Sequence, residues 1–234
     1  MFKTIETNKV YSQIIDQLKE GIKAGSIKMG DRLPSERDMA EMLGVSRTSV
    51  REAIRSLEMI GLVRCVHGEG NFISDNLEDS LSEPISLMFL LNKGNLEEIN
   101  QIRRAIEIEA VMIATDKINS SSLEKLETYC NIIENEMDDN KKIEADKQFH
   151  YEIARASENI LIINILNALS SLLDNFIGEM RMKIVIEKHI MDPHRSILEA
   201  IKKKNKEEAR FQMTKHMDII EASIVSNFDV IKNT

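Results

Sequence analysis

The amino-acid sequence predicts a mainly α-helical fold divided between two domains. The chain has 234 residues, of which 42% are hydrophobic and 30% charged, so each part is long enough to bury its own core. Apolar residues recur with helical spacing along most of the chain, and the β-prone pieces lie around residues 62–73. We therefore predict a first domain at 1–75, a linker helix at 76–94 and an all-α bundle at 95–234.

The first domain carries the signals of three helices followed by a small hairpin. The first helix is expected at Val10–Ala24, where apolar side chains share one face. Serine caps and glycine stops delimit the next two helices, at Ser35 and Gly44 for the second and at Ser46 and Gly61 for the third. Two β-prone dipeptides then flank a glycine-rich turn. This order predicts a winged helix-turn-helix, an arrangement that reads DNA.

The second domain is expected to hold about six helices without strands. Its predicted breaks are Asn119–Ser122, Asp138–Asn140, Glu158–Asn159, Gly178, Asp192–Pro193 and Asn205. The most apolar run, Ile160–Ile177, carries several polar residues and is therefore interpreted as a core helix, not a membrane span.

The charge distribution separates the two domains. The net charge of −8 lies entirely outside the first 75 residues, which carry 11 basic and 11 acidic side chains. A neutral domain can still bind DNA if its arginines cluster on one face. Arg47, Arg51 and Arg55 are four residues apart and share one face of the third helix, which suits a recognition helix that reaches guanine edges and phosphates. A solvated charged face is the alternative interpretation.

Several short segments of the first domain form an ordered pattern: Gly30–Arg37, Leu43–Ala53, Leu57, Gly61–Val63 and His67–Gly70. This pattern resembles the DNA-binding domain of the GntR family of bacterial regulators. The resemblance implies base or adjacent phosphate contacts from Arg37, Arg47 and Arg51, phosphate contacts from Thr48 and Ser49, and a minor-groove approach by His67 and Gly68. Glu69 stands where many relatives are basic, and a carboxylate there would limit insertion of the wing.

Polar side chains occupy core positions in the second domain. Asp146 and His150 continue an apolar stripe that begins at Ile143, His194 begins a later helix, and His216 lies in the buried stripe of the last one. Burying such groups is unfavourable unless they pair or bind a metal. Together they suit a divalent transition metal, zinc first, with nickel and manganese as alternatives. A network of satisfied core histidines is the other interpretation.

The second domain resembles the all-helical effector domain (FCD) of the FadR-type branch of the GntR family. Three features carry this resemblance: the spacing from Asp146 to His150, the two later helical histidines, and the turn Ser157-x-Asn159. Members with this metal set typically sense small carboxylates, which implies a small organic acid as effector. That branch has an Arg four residues before a Glu, matched here by Arg103 and Glu107. Arg103 also faces apolar neighbours, and a buried guanidinium needs an anion. That anion is either the effector or, in a purely structural salt bridge, Glu107.

The main hypothesis is therefore a cytoplasmic transcription regulator, a repressor first and an activator as the alternative, that binds double-stranded operator DNA as a homodimer under effector control. Cys65 and Cys130 form neither a metal knuckle nor a disulfide framework, and the N-terminus does not have the pattern of a signal peptide, as expected in a reducing cytosol. One alternative is a metal-dependent hydrolase fused to a DNA-binding module, although no further general base stands near the motif. The other is an architectural DNA binder that needs no ligand.

Overall fold

The computed structural model describes residues 8–75, 77, 80–188 and 193–231. Its residues fall into two compact units, the first ending at Ser80 and the second beginning at Leu81. Helices dominate the described part of the chain, and its one sheet is a two-stranded hairpin. The mainly α fold with a winged helix-turn-helix and a helical bundle is thereby confirmed.

The first unit consists of three helices and the hairpin. Its elements are α1 (Asn8–Lys23), α2 (Glu36–Leu43), α3 (Arg47–Met59), β1 (Val63–Val66) and β2 (Gly70–Ile73). The strands pair in antiparallel register, with Val63 opposite Ile73 and Val66 opposite Gly70. An isolated bridge joins Arg32 to Phe72, so the segment before α2 adds to the hairpin.

The predicted caps account for the ends of α2 and α3. The Oγ atoms of Ser35 and Ser46 accept hydrogen bonds from the backbone amides of Asp38 (3.2 Å) and Ser49 (3.0 Å), which satisfies donors that a helix start leaves unpaired. Gly44 ends α2 with a φ of 65°, a left-handed conformation in which glycine avoids the steric penalty of a Cβ atom. The two helices are therefore delimited by local chemistry.

The core of this unit is aliphatic and anchors α3. Val50, Ala53, Ile54 and Leu57 are buried along one side of α3 and pack with α1 and the hairpin. Burial of this stripe leaves the opposite side of α3, which carries the arginines, in solvent.

The second unit contains the remaining helices. They are α4 (Ser82–Leu91), α5 (Leu96–Lys117), α6 (Ser120–Asn135), α7 (Asp139–Ala156), α8 (Ile160–Lys188), α9 (His194–Lys202) and α10 (Lys206–Ile231). The predicted linker segment 76–94 contains α4, which packs against α8 within this unit. None of the described helices has the length and apolar character needed to cross a membrane.

The predicted break at Gly178 is wrong, because α8 continues through this residue. Glycine inside a helix costs only about 1 kcal/mol relative to alanine, which flanking helical residues can outweigh. The predicted break at Asn205 falls between α9 and α10. Asp192, in the predicted break Asp192–Pro193, lies outside the described residues.

The core of the second unit brings four helices around one point. Helix α5 packs against α7, α9 and α10, and α10 also packs against α9. Phe149, Leu198, Met213 and Met217 are among the fully buried side chains. This aliphatic and methionine-rich core surrounds the polar residues described next.

Candidate metal centre and DNA-reading face

Four polar side chains from three helices meet inside the second unit. Asp146 and His150 lie on α7, His194 is the first residue of α9, and His216 lies on α10. Each is more than nine-tenths buried. Each offers one ligand atom, and these four atoms lie within 4.8 Å of one another. The structure thus brings together all four residues that the sequence predicted as metal ligands.

The imidazole nitrogens face each other at short range. His150 Nε2 lies 3.0 Å from His216 Nε2 and 3.4 Å from His194 Nε2. Asp146 Oδ1 lies 3.2 Å from His194 Nε2 and 4.0 Å from His150 Nε2. The four atoms therefore form a small cage of three nitrogens and one carboxylate oxygen.

This cage fits a divalent transition metal. A hydrogen atom can bridge His150 Nε2 to one neighbouring ring at a time, whereas a cation accepts lone pairs from all the rings together. Two nitrogens bound tetrahedrally to zinc at about 2.0–2.1 Å would lie about 3.3 Å apart. The observed separations of 3.0 and 3.4 Å are close to that value. The donor set and the separations between these imidazole nitrogens suit a metal centre, and Asp146 Oδ1 lies farther from His150 Nε2, at 4.0 Å.

Glu107 on α5 contacts this cage from behind His150. Its Oε2 atom lies 2.6 Å from His150 Nδ1. Burial alone would raise the pKa of Glu107, but the interactions with Arg103 and His150 outweigh burial and lower that pKa to about 2. A carboxylate at Nδ1 favours the ring form that keeps its hydrogen on Nδ1 and its Nε2 lone pair for a metal. The sequence indicated Glu107 only as a partner of Arg103.

Arg103 pairs with Glu107 in the described structure. Its Nε and Nη2 atoms both lie 2.8 Å from Glu107 Oε1, and its side chain is 13% exposed. The salt bridge considered as the structural alternative is therefore present. Binding of an effector by Arg103 stays a prediction.

Phe149 supports the cage from the side. Its ring meets His150 and His194 edge to face, with centroid distances of 5.7 and 4.8 Å. Phe149 is fully buried, so it restricts both imidazoles to narrow orientations. Sequence reasoning missed this residue, because an aromatic residue on an apolar stripe does not differ from any other core residue.

The predicted DNA-contacting side chains lie in the first turn of α2, in the first half of α3 and on the hairpin turn. Arg37, Arg47, Thr48 and Arg51 are exposed, and so are His67 and Gly68 at the turn. Ser49 is half-buried, and its Oγ lies 2.9 Å from the Oγ of Ser46, so it takes part in the cap of α3. Contacts of these residues with DNA stay predictions.

A contact between α2 and α3 orients Arg51. Its Nε and Nη2 atoms lie 2.9 and 2.8 Å from Glu36 Oε2, and this hydrogen bond together with the charge of Glu36 raises the pKa of Arg51. One edge of the guanidinium is therefore held while its side chain stays 53% exposed. The local sequence pattern did not reveal this pairing, because the residues are fifteen positions apart.

A cleft of about 800 Å³ runs along this face of the first unit. Four arginines line it, together with residues of α2 and β2: Arg32, Arg37, Arg47 and Arg51. Arg32 was missed by the sequence reasoning, although it lies inside the quoted segment Gly30–Arg37. Its guanidinium lies close to Gly70, where an added Cβ would be 3.4 Å from Arg32 Nε. The arginine side chains of the cleft supply the positive charge that binding to the phosphate backbone of DNA requires.

Comparison with known proteins identifies two family domains. Residues 10–73 match the model described as bacterial regulatory proteins of the gntR family, and residues 98–219 match the FCD domain. Together the two matches span most of the chain.

Individual relatives are similar along nearly their whole length. The uncharacterized HTH-type transcriptional regulator YcbG of Bacillus subtilis (strain 168) is 29% identical over 97% of this chain and 94% of its own. The HTH-type transcriptional regulator LutR of the same organism is 30% identical over 89% of this chain and 98% of its own. A solved structure, Streptococcus agalactiae GntR, matches with a TM-score of 0.69 at 25% identity over 91% of this chain and 99% of that one.

These similarities extend through both the DNA-reading unit and the helical unit. The relatives are transcription regulators and not enzymes, so the hydrolase alternative is set aside. The chain belongs to the GntR family of bacterial transcription regulators, in the FadR-type branch that carries an FCD domain.

Proposed function

We propose that this regulator is a homodimeric repressor whose operator binding is controlled by a small carboxylate bound beside a divalent metal. The observation that carries the proposal is the buried cage of Asp146, His150, His194 and His216. Such a cage has little purpose in a protein that only binds DNA, because burying these groups without a ligand is unfavourable. Zinc is the first choice of metal, with nickel and manganese as alternatives.

The relatives support an organic acid as effector and repression as the outcome. One similar protein, 24% identical, is described as a putative L-lactate dehydrogenase operon regulatory protein of Escherichia coli (strain K12). Another, 27% identical, is the HTH-type transcriptional repressor NanR of Cronobacter sakazakii. A carboxylate effector also agrees with the chemistry of the cage, since a bound divalent metal supplies a Lewis acid for carboxylate oxygens.

In this proposal the residues around the cage prepare it for metal and effector. Asp146, His150, His194 and His216 hold the metal, and Glu107 orients the ring of His150. Arg103, held at one edge by Glu107, is the cation that anchors the effector carboxylate. The negative charge of Glu107 compensates Arg103 when no effector is bound.

DNA reading is assigned to the arginine cleft of the first unit. Arg37, Arg47 and Arg51 contact bases or adjacent phosphates, Thr48 and Ser49 bind phosphates at the start of α3, and His67 and Gly68 approach the minor groove. One short recognition helix covers few base pairs, so a homodimer on a palindromic operator in the cytoplasm provides the specificity that a genome demands. Sedimentation is expected to give a species near twice the 26.7 kDa chain mass.

The metal is tested with a matched pair of variants on α10. His216→Ala removes a ligand, whereas Met213→Ala truncates an equally buried core residue one turn away. Both lose stability, and only His216→Ala is expected to lose metal, measured by elemental analysis of untagged protein after dialysis against Zn²⁺. For the wild type, metal at 100 times its Kd is expected to add about 2.7 kcal/mol of stability.

The effector is tested by DNA binding of the metal-loaded protein. A panel of small hydroxy and keto acids is screened for release of a duplex that the wild type selects from random sequences. His216→Ala is expected to bind this duplex without responding to any acid of the panel. Wild-type protein that holds well below one metal per chain, or a His216→Ala variant that still responds, would contradict the proposal.

A further inference from the structure

The start of α9 carries one of the four candidate metal ligands. His194 is the first residue of this nine-residue helix. Among the described residues, no side chain caps this first turn, for which Pro193 is the N-cap residue. Helix ends fray when their backbone amides lack partners. Contacts that hold the first turn of α9 in place therefore bear on the position of this ligand.

The next residue, Arg195, makes a dense set of contacts with α6. Its Nε and Nη2 atoms lie 2.9 and 2.8 Å from the two carboxylate oxygens of Glu134, which is a bidentate pair. Nη2 also donates to Asn131 Oδ1 at 2.7 Å, and Nη1 donates to Glu127. The three partners are spaced as successive turns of one face of α6. Every nitrogen of this guanidinium is thus engaged.

Helix α6 is a suitable anchor because it is tied to the other half of the cage. Its own start is capped by Asn119, whose Oδ1 accepts from the amide of Ser122 at 2.9 Å. It packs against α7, which carries Asp146 and His150. The route from Arg195 through α6 to α7 therefore connects the two sides of the candidate centre.

We propose that Arg195 is a positioning residue for the metal centre: by clamping the first turn of α9 onto α6, it holds His194 at the distance from Asp146 and His150 that a metal requires. This inference rests on the proposed metal site. Arg195 touches neither the metal nor the effector, and acts through the backbone of α9. Guanidinium geometry is essential, because a lysine ammonium cannot reproduce a planar fork that binds both oxygens of Glu134.

A second cation of the same cluster offers a matched control. Lys202, at the opposite end of α9, pairs with Glu127 and Glu199. It helps to hold α9 on α6, but it lies two turns away from His194. A general stabilising role of the cluster would involve Lys202 as much as Arg195, whereas a positioning role would be specific to Arg195.

The test uses the full-length protein stripped of metal with a chelator and titrated with Zn²⁺ in competition with a colorimetric chelator. Arg195→Lys keeps the charge and loses the fork, Glu134→Gln weakens the fork from the side of α6, and Lys202→Met is the control. Arg195→Lys and Glu134→Gln are expected to bind Zn²⁺ about tenfold more weakly, as for other supporting residues of metal ligands. Lys202→Met is expected to bind like the wild type. The absorption spectrum of bound Co²⁺ is expected to change in both Arg195→Lys and Glu134→Gln and to stay as in the wild type in Lys202→Met.

Each outcome decides the role of Arg195. If Arg195→Lys and Glu134→Gln both bind Zn²⁺ as tightly as the wild type, Arg195 has no positioning role. If Lys202→Met loses as much Zn²⁺ affinity as they do, the cluster stabilises α9 as a whole, and the specific role of Arg195 is also overturned. A wild type that binds neither Zn²⁺ nor Co²⁺ overturns the metal site and this role with it. Normal metal binding by the wild type together with unchanged variants overturns the role of Arg195 alone. If Arg195→Lys fails to fold, the Zn²⁺ affinity of Glu134→Gln tests the role of Arg195 in its place.

Discussion

The candidate metal cage and the arginine cleft both gather charged and polar side chains, but their surroundings differ. In the cage, Asp146 and the three histidines are more than nine-tenths buried, and Glu107 compensates Arg103 within the fold. In the cleft, Arg37 and Arg51 keep 71% and 53% of their side chains exposed, so both guanidinium groups remain accessible to solvent. Substitutions in the cage should therefore change stability and ligand binding together, whereas substitutions in the cleft should change DNA binding alone.

The largest expected effect is on stability, from Glu107→Ala. This variant leaves Arg103 nearly buried without its carboxylate and removes the contact behind His150, so the free energy of unfolding should fall by about 3–5 kcal/mol. Urea denaturation of the metal-free protein measures the change. Glu109→Ala, an exposed position on the same helix, is the control and should stay within about 0.5 kcal/mol of wild type. An equally small change for Glu107→Ala would show that the cage does not depend on this charge pair.

The next effect separates DNA binding from stability. Arg51→Ala is expected to weaken binding to a selected duplex by about 1–3 kcal/mol and to reduce discrimination against a scrambled duplex, because a base contact is lost. Its free energy of unfolding should change little, since Arg51 is half-exposed. Gel shifts at fixed salt measure the affinities.

Arg55→Ala is the control for this prediction. Arg55 is exposed and lies one turn further from the start of α3, so its loss should affect binding less. Unchanged affinity of Arg51→Ala for both duplexes would remove Arg51 from the contact set and weaken the contrast between cleft and cage.

The smallest expected effect comes from the cap of the recognition helix. Ser46→Ala removes the acceptor for the amide of Ser49 and should cost about 1 kcal/mol of stability. Ser12→Ala, at an exposed position inside α1, should leave stability unchanged or slightly raised, because alanine is the better helix former. Thermal unfolding of both variants checks the difference. A loss in Ser12→Ala equal to that in Ser46→Ala would argue against the cap.

Local patterns were sufficient for much of the fold and for the cage ligands. A serine followed by a helical stripe predicted the starts of α2 and α3, because capping involves residues three apart. Asp146 and His150 could be predicted as buried because they fall on the apolar stripe of one helix. The break at Gly178 was wrong because tertiary context outweighs the weak preference of a single glycine.

Contacts between distant segments could not be predicted in the same way. Three such contacts join residues between 15 and 68 positions apart: Glu36 with Arg51, Glu107 with His150, and Arg195 with α6. Each depends on how two helices cross, which side-chain spacing along one helix does not encode. The same holds for Phe149, whose contacts with two imidazoles follow from packing.

The sequence by itself determined that Asp146, His150 and His216 face the core, where α2 and α3 begin, and which family pattern the chain carries. The burial and the helix starts follow from spacing within single helices. Tertiary structure alone decided that four ligand atoms meet within 4.8 Å and that Glu107 stands behind one of them. The physical reason is that helical periodicity defines only the direction in which a side chain leaves the axis of its own helix. The distance between atoms on different helices depends on the packing of the whole core.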